Sequence, residues 1–182
     1  KIYFEVLKLY TDSARALCGL ASINDQRGHT EAAIDQLKQA SAANPEYIES
    51  FKMILDISER SSNLDQILES AMHLSNLSPD NPKYTLTIAT TYLRQNKLEE
   101  AENFFKKTVS LSPMIASAYK GLGNVFMIKK EYDKAMKNFS KALDLDKEDI
   151  SILNSYGLAL IRLEKYEAGI QKYQVALKID PH

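Results

Sequence analysis

Pro45, Pro79 and Pro113 stand 34 residues apart, and Pro181 lies 68 residues beyond the third of them, two further periods along the chain. A period of this size over almost the whole sequence leaves few architectures open. Each period is one supersecondary unit that cannot bury its apolar face alone and must stack on its neighbours. Such a molecule offers extended surfaces more readily than a closed catalytic pocket.

Placing the prolines at position 32 of the unit gives repeats at 14–47, 48–81, 82–115, 116–149 and 150–182, with residues 1–13 as the end of a preceding one. Small residues recur at position 8 (Ala21, Ala89, Gly123, Gly157) and at position 20 (Ala33, Ala101, Ala135, Gly169). Large ones recur at position 7 (Leu20, Ile54, Ile88, Leu122, Tyr156) and at position 24 (Leu37, Phe105, Phe139, Tyr173). Small side chains let two helix axes approach while bulky ones fill the space between them. The apolar spacing of three and four is helical and leaves no segment that requires a strand. The pattern predicts helix A over positions 2 to 14 and helix B over 17 to 29. Gly28 and Asn96 fall at position 15, where a residue tolerant of positive φ can end a helix. The fold class expected is therefore all-α, a solenoid of stacked antiparallel helix pairs.

The second repeat departs from this rule. Position 27 is a third small slot, as at Ala142 and Ala176; here Leu55, Ile67 and Leu74 occupy the small slots 8, 20 and 27 and Ala71 the large slot 24, so bulk has crossed the seam at roughly conserved volume. An altered helix spacing there is expected, as a hinge or as compensated drift.

These residues resemble the tetratricopeptide repeat. The fourth unit carries the signature most fully, in Tyr119, Leu122, Gly123, Phe126, Ala135, Phe139 and Ala142, with Lys147 where proline is expected. Tyr92, Ala101, Phe105 and Pro113 repeat it in the third unit, and Tyr156, Gly157, Tyr173, Ala176 and Pro181 in the fifth. The resemblance implies a right-handed superhelix of about five repeats whose A helices face a concave groove. It also implies a binding function for that groove.

In the family, positions 2, 5, 9, 12 and 13 of helix A face the groove. In the first two repeats they hold mixed charge, including Arg15, Asp25, Glu49, Lys52, Asp56, Glu59 and Arg60, together with Cys18. In the last three they hold four basic residues, six apolar residues and no acid. The candidate contacts are Lys83, Leu86, Arg94, Lys120, Asn124, Met127, Asn154 and Arg162. Apolar anchors ringed by Lys and Arg suit a protein or peptide partner of acidic or amphipathic character. The alternative is that Leu86, Leu93 and Ile161 pack between neighbouring repeats and the charges are merely solvated. Lys120 and Asn124 also resemble the first half of the family's carboxylate clamp, but Ser155 stands where the clamp would continue with Asn.

Other classes find little support. His29, His73 and His182 are scattered, so neither a metal site nor a catalytic constellation is expected, and no cofactor is called for. Lys120 to Asn124 is not a phosphate loop, because Gly123 serves helix packing. The basic face formed by Lys129, Lys130, Lys134, Lys137 and Lys141 is interrupted by Glu131, Asp133, Asp144 and Asp146, which disfavours nucleic acid. The net charge is −1. Residues 1–91 carry 8 basic and 12 acidic side chains and residues 92–182 carry 15 and 12, a split of about −4 and +3 that favours oriented contact with a charged partner.

No apolar run approaches the roughly 20 residues of a membrane span. Cys18 is the only cysteine, which fits a reducing, cytoplasmic compartment. The expected function is a protein–protein interaction module or scaffold, not an enzyme. The alternatives are a self-assembling homo-oligomeric scaffold and the regulatory repeat region of a larger signalling protein or enzyme. Tyr3 and Val6 align with the later half of a helix B, and this partial unit points to a piece of a longer protein.

Overall fold

A computed structural model describes residues 13–181; the expectation for residues 1–12, including Tyr3 and Val6, and for His182 lies outside them. Ten α-helices and no strand occur among the described residues. They are α1 Ala14–Gln26, α2 Thr30–Ala43, α3 Ile48–Arg60, α4 Leu64–Leu77, α5 Pro82–Arg94, α6 Leu98–Leu111, α7 Ala116–Ile128, α8 Tyr132–Leu145, α9 Ile150–Arg162 and α10 Tyr166–Ile179. In every repeat the helices occupy positions 1 to 13 and 17 to 30. Helix A thus begins and ends one residue before the expected bounds, and helix B runs one residue further.

The turns explain this regularity. Position 15 has positive φ in all five repeats: 79° at Gly28, 55° at Ser62, 58° at Asn96, 61° at Lys130 and 60° at Glu164. After helix B, the residue before the proline is extended, as at Asn44 (φ −144°, ψ 95°) and Ser112 (φ −148°, ψ 98°). Proline disfavours the helical region for the residue that precedes it. Asp146 adopts the same conformation (φ −137°, ψ 95°) before Lys147. The missing proline of the fourth repeat therefore changes nothing in where α8 stops. Side-chain caps are irregular by comparison: Ser13, Asn63 and Asp149 each accept a hydrogen bond from the backbone of the first turn that follows.

The described residues divide into two compact units, one ending at Tyr84 and the other beginning at Thr85. In the first, α1 packs on α2, α2 on α3 and α3 on α4. Its core gathers Leu17, Cys18, Ala21, Ala33, Ile34, Leu37, Ile54 and Ile57. Burial pushes the Cys18 thiol up to about 11, with the Glu49 carboxylate adding to the rise, so the thiol stays protonated at neutral pH. The second repeat keeps the common helix bounds despite its exchanged bulk, and Leu55, Ile67, Ala71 and Leu74 are all buried. It also buries Ser50, Ser58, Ser70 and Ser75; Ser58 donates to Gln66 Oε1 at 3.2 Å, which bridges the two helices of the repeat.

In the second unit, α6 packs on α7, α7 on α8, α8 on α9 and α9 on α10. Its core runs through Ala89, Ala101, Phe105, Leu122, Val125, Phe126, Ala135, Phe139 and Ala142. Small meets large across the seam. A Cβ added at Gly123 would lie 2.6 Å from Phe139 Cδ1, and one added at Gly157 would lie 3.1 Å from Tyr173 Cζ. A further close approach was not visible in the sequence: a Cβ at Gly121 would meet the Phe105 ring, 2.8 Å from Cδ1. A buried hydrogen bond from Thr108 to Thr85, 2.9 Å, ties α6 to α5.

Candidate functional site, a groove on α5, α7 and α9

The A helices of the second unit share one groove of about 370 Å³, lined by Leu93, Arg94, Asn124, Met127, Ile128, Ser155 and Leu158. The helical period places them together. Leu93 and Arg94 end α5, Asn124, Met127 and Ile128 form the last turns of α7, and Ser155 and Leu158 are one turn apart on α9. Four of the seven are large and apolar. Ile128 is 51% exposed and Leu158 40%, an arrangement that leaves hydrocarbon in water with no protein cover.

The eight sequence-derived candidates separate into distinct environments. Arg94, Asn124 and Met127 line the groove. Arg94 is exposed, and neither it nor Arg162 has an ion-pair partner among the described residues. Arg162 lies one turn beyond Leu158 on the same face of α9, outside the lining. Asn154 is exposed on α9 and also outside it. Leu86 is half-buried against the apolar core; Leu93 packs there too while contributing its free side to the groove. Leu86 therefore follows the packing alternative. Lys83 belongs to the first unit, where it lines a smaller cleft of about 160 Å³ with Lys52, Leu55, Asp56, Glu59 and Tyr84.

Lys120 is committed elsewhere. Its Nζ lies 3.0 Å from Asp149 Oδ2, and Asp149 Oδ1 accepts from the backbone N–H of Ile152, 3.0 Å, at the start of α9. Burial alone would raise the Asp149 carboxyl. The hydrogen bonds from Lys120 and from the Ile152 and Ser151 backbone, with the Lys120 charge, outweigh it and hold the group below the usual carboxylate range. Leu93, Ile128, Ser155 and Leu158, absent from the candidate contacts, complete the lining. Positions 9, 12 and 13 of helix A carry the signal for Leu158, Leu93 and Ile128, whereas Ser155 is at position 6, outside the family's groove-facing set.

The remaining charge clusters are structural. Lys129 Nζ bridges Glu99 at 3.2 Å and Glu102 at 2.8 Å, fastening the end of α7 to α6. In the first unit Arg60 reaches Asp25 at 2.6 Å and Asp56 at 3.3 Å, which neutralises much of the inner face of α1 and α3. Among the described residues no group of three or more His, Cys, Asp or Glu side chains is placed to hold a metal. None of their helices is long and apolar enough to cross a membrane.

Comparison with known proteins bears on the family and the fold. Family models for the tetratricopeptide repeat match residues 14–47, 83–113 and 116–149. Among curated proteins, the human protein O-mannosyl-transferase TMTC3 is 22% identical over 99% of this chain and 21% of its own length. Human tetratricopeptide repeat protein 6 is 31% identical over 58% of this chain and 21% of its own. The chain thus spans about a fifth of these relatives. Among solved structures, MamA superposes with a TM-score of 0.82 at 18% identity, covering 92% of both chains. YrrB, described as a tetratricopeptide repeat protein with an unusual peptide-binding site, superposes with a TM-score of 0.79 at 12% identity, covering 100% of this chain and 93% of its own. With the 34-residue period, the paired helices and the matching models in agreement, the chain belongs to the tetratricopeptide repeat family, an interaction scaffold.

Proposed function

We propose that the chain binds a peptide or a segment of a partner protein in the groove of α5, α7 and α9, and that it acts by binding and not by catalysis. The observation that carries this is the exposed apolar floor of Leu93, Met127, Ile128 and Leu158, with the cation Arg94 at its edge. Water gains by leaving such a floor, so apolar anchors of the partner supply affinity while the guanidinium supplies orientation and on-rate. No acid stands at the groove-facing positions of α5, α7 or α9, so the partner expected is amphipathic with acidic character.

The O-mannosyl-transferase relative is matched over only a fifth of its length, and catalysis is not carried over from its name. YrrB's described peptide-binding site supports the peptide reading by analogy of fold. A cytoplasmic setting is proposed with it, on the lone, buried Cys18.

The test uses short peptides blocked at both termini, each carrying Leu, Ile, Met or Phe anchors beside Asp or Glu. The unaltered chain should capture them, and Met127→Glu should abolish capture while circular dichroism shows an intact fold. Capture that survives both Met127→Glu and Leu158→Glu would place binding elsewhere.

A further inference from the structure

Within the second unit, three cations stand at the groove-facing positions of α5, α7 and α9: Arg94, Lys120 and Arg162, Lys83 belonging to the first unit. They are not equivalent. Lys120 is held at 3.0 Å by Asp149, with side-chain exposures of 27% and 23%, whereas Arg94 and Arg162 are exposed and without ion-pair partners among the described residues. We propose that Asp149 is a built-in carboxylate that silences Lys120, so that a bound acidic segment is read at Arg94. This rests on the groove reading above and specifies its charge recognition.

The physical argument concerns net charge. A ligand carboxylate approaching Lys120 is attracted by the ammonium and repelled at nearly the same distance by the carboxylate of Asp149, so the Coulomb gain is close to zero. Displacing Asp149 would also disturb the carboxylate that caps α9 through Ile152. Arg94 carries neither restriction. It ends α5 directly against the apolar floor, and a guanidinium takes a carboxylate through two parallel hydrogen bonds. The partner that fits therefore has an acidic side chain adjacent to its apolar anchors. Its preference for acid over amide is set by Arg94 and limited by Asp149.

Fluorescence anisotropy with matched peptides tests this, one set carrying Asp or Glu beside the anchors and the other Asn or Gln, all blocked at both ends. The unaltered chain should prefer the acidic set, and Arg94→Gln should remove about tenfold of that preference, as loss of a charge-assisted hydrogen bond implies. Lys120→Gln should leave it in place. Asp149→Ser keeps a capping hydroxyl at the start of α9 and frees Lys120, so it should raise the preference roughly threefold. Loss at Lys120→Gln equal to that at Arg94→Gln, or no gain in a folded Asp149→Ser, overturns the assignment. Failure of the unaltered chain to bind either set overturns the groove reading itself and the assignment with it.

Discussion

Adding one methyl group at Gly123 tests the seam that sets the spacing of α7 and α8. The Cβ of Gly123→Ala would lie 2.6 Å from Cδ1 and 2.7 Å from Cζ of Phe139, where carbon atoms at rest sit about 3.5–4.0 Å apart. Phe139 is wholly buried among Ala135, Ala142 and Leu122. The ring must therefore shift by roughly 1 Å or the helices must part. Overpacking of a filled core costs about 1–3 kcal/mol. Exchange of glycine for alanine inside a helix returns about 1 kcal/mol. The net expectation is a loss of about 1 kcal/mol, read as a lower urea midpoint at unchanged slope. The close approach itself is isolated by a double-mutant cycle with Phe139→Leu, which makes room for the methyl. In that background the alanine should be neutral or stabilising, a coupling of about 1–2 kcal/mol. An alanine that stabilises the unaltered background as much as the leucine background would refute the small-against-large account of the seam. Gly157→Ala, with its nearest contact at 3.1 Å, should lose less.

Lys130→Gly and Glu164→Gly should each raise stability by about 0.5–1 kcal/mol, because both residues hold a left-handed conformation that glycine adopts without strain; thermal melts decide it. Thr108→Val should lower stability by about 1–2 kcal/mol through the lost buried hydrogen bond to Thr85, read by chemical denaturation. The Glu102 carboxyl is held low by hydrogen bonds from Lys106 and Lys129, as the Asp149 carboxyl is by Lys120 and the α9 backbone. Both folded values lie below the unfolded ones, so their contribution is complete above about pH 4–4.5 and is lost as pH falls through the folded values. Acid titration of Asp149→Asn should show a shallower decline than that of the unaltered chain.

Much of this architecture was legible because one period indexes every residue. Phe105, Phe139 and Tyr173 announced a large slot, and their glycine and alanine partners announced where helices approach. The turn at position 15 was legible at Gly28 and Asn96 but not at Ser62, Lys130 or Glu164. At those three the demand comes from the paired helices on either side, and residue type carries no sign of it. Lys147 read as a departure, yet the turn after α8 keeps its geometry without proline.

The candidate groove was legible to the level of helix faces. Its occupancy by ion pairs was not. Lys120 and Asp149 are 29 residues apart on different elements, and only the packing of α7 beside α9 brings them together. The period offered one clue, since Asp149 is the residue before a helix A, a position from which a short acidic side chain reaches both the cap of α9 and Lys120 on α7, the helix A of the repeat before. Leu86 shows the same limit from the other side. Its position on helix A could not say whether the side chain faced solvent or the core, and the structure places it against the core.

The central claim is that partner binding occupies the groove of α5, α7 and α9. Methyl-resolved NMR of the chain titrated with the blocked, acidic amphipathic peptides tests it most directly. The account predicts the largest shifts at the methyl groups of Leu93, Met127, Ile128 and Leu158, with little change at Val109 of α6 or Leu143 of α8, which are half-buried against the core. Binding that shifts residues of α6, α8 or α10 and leaves those four methyl-bearing side chains unmoved would contradict it.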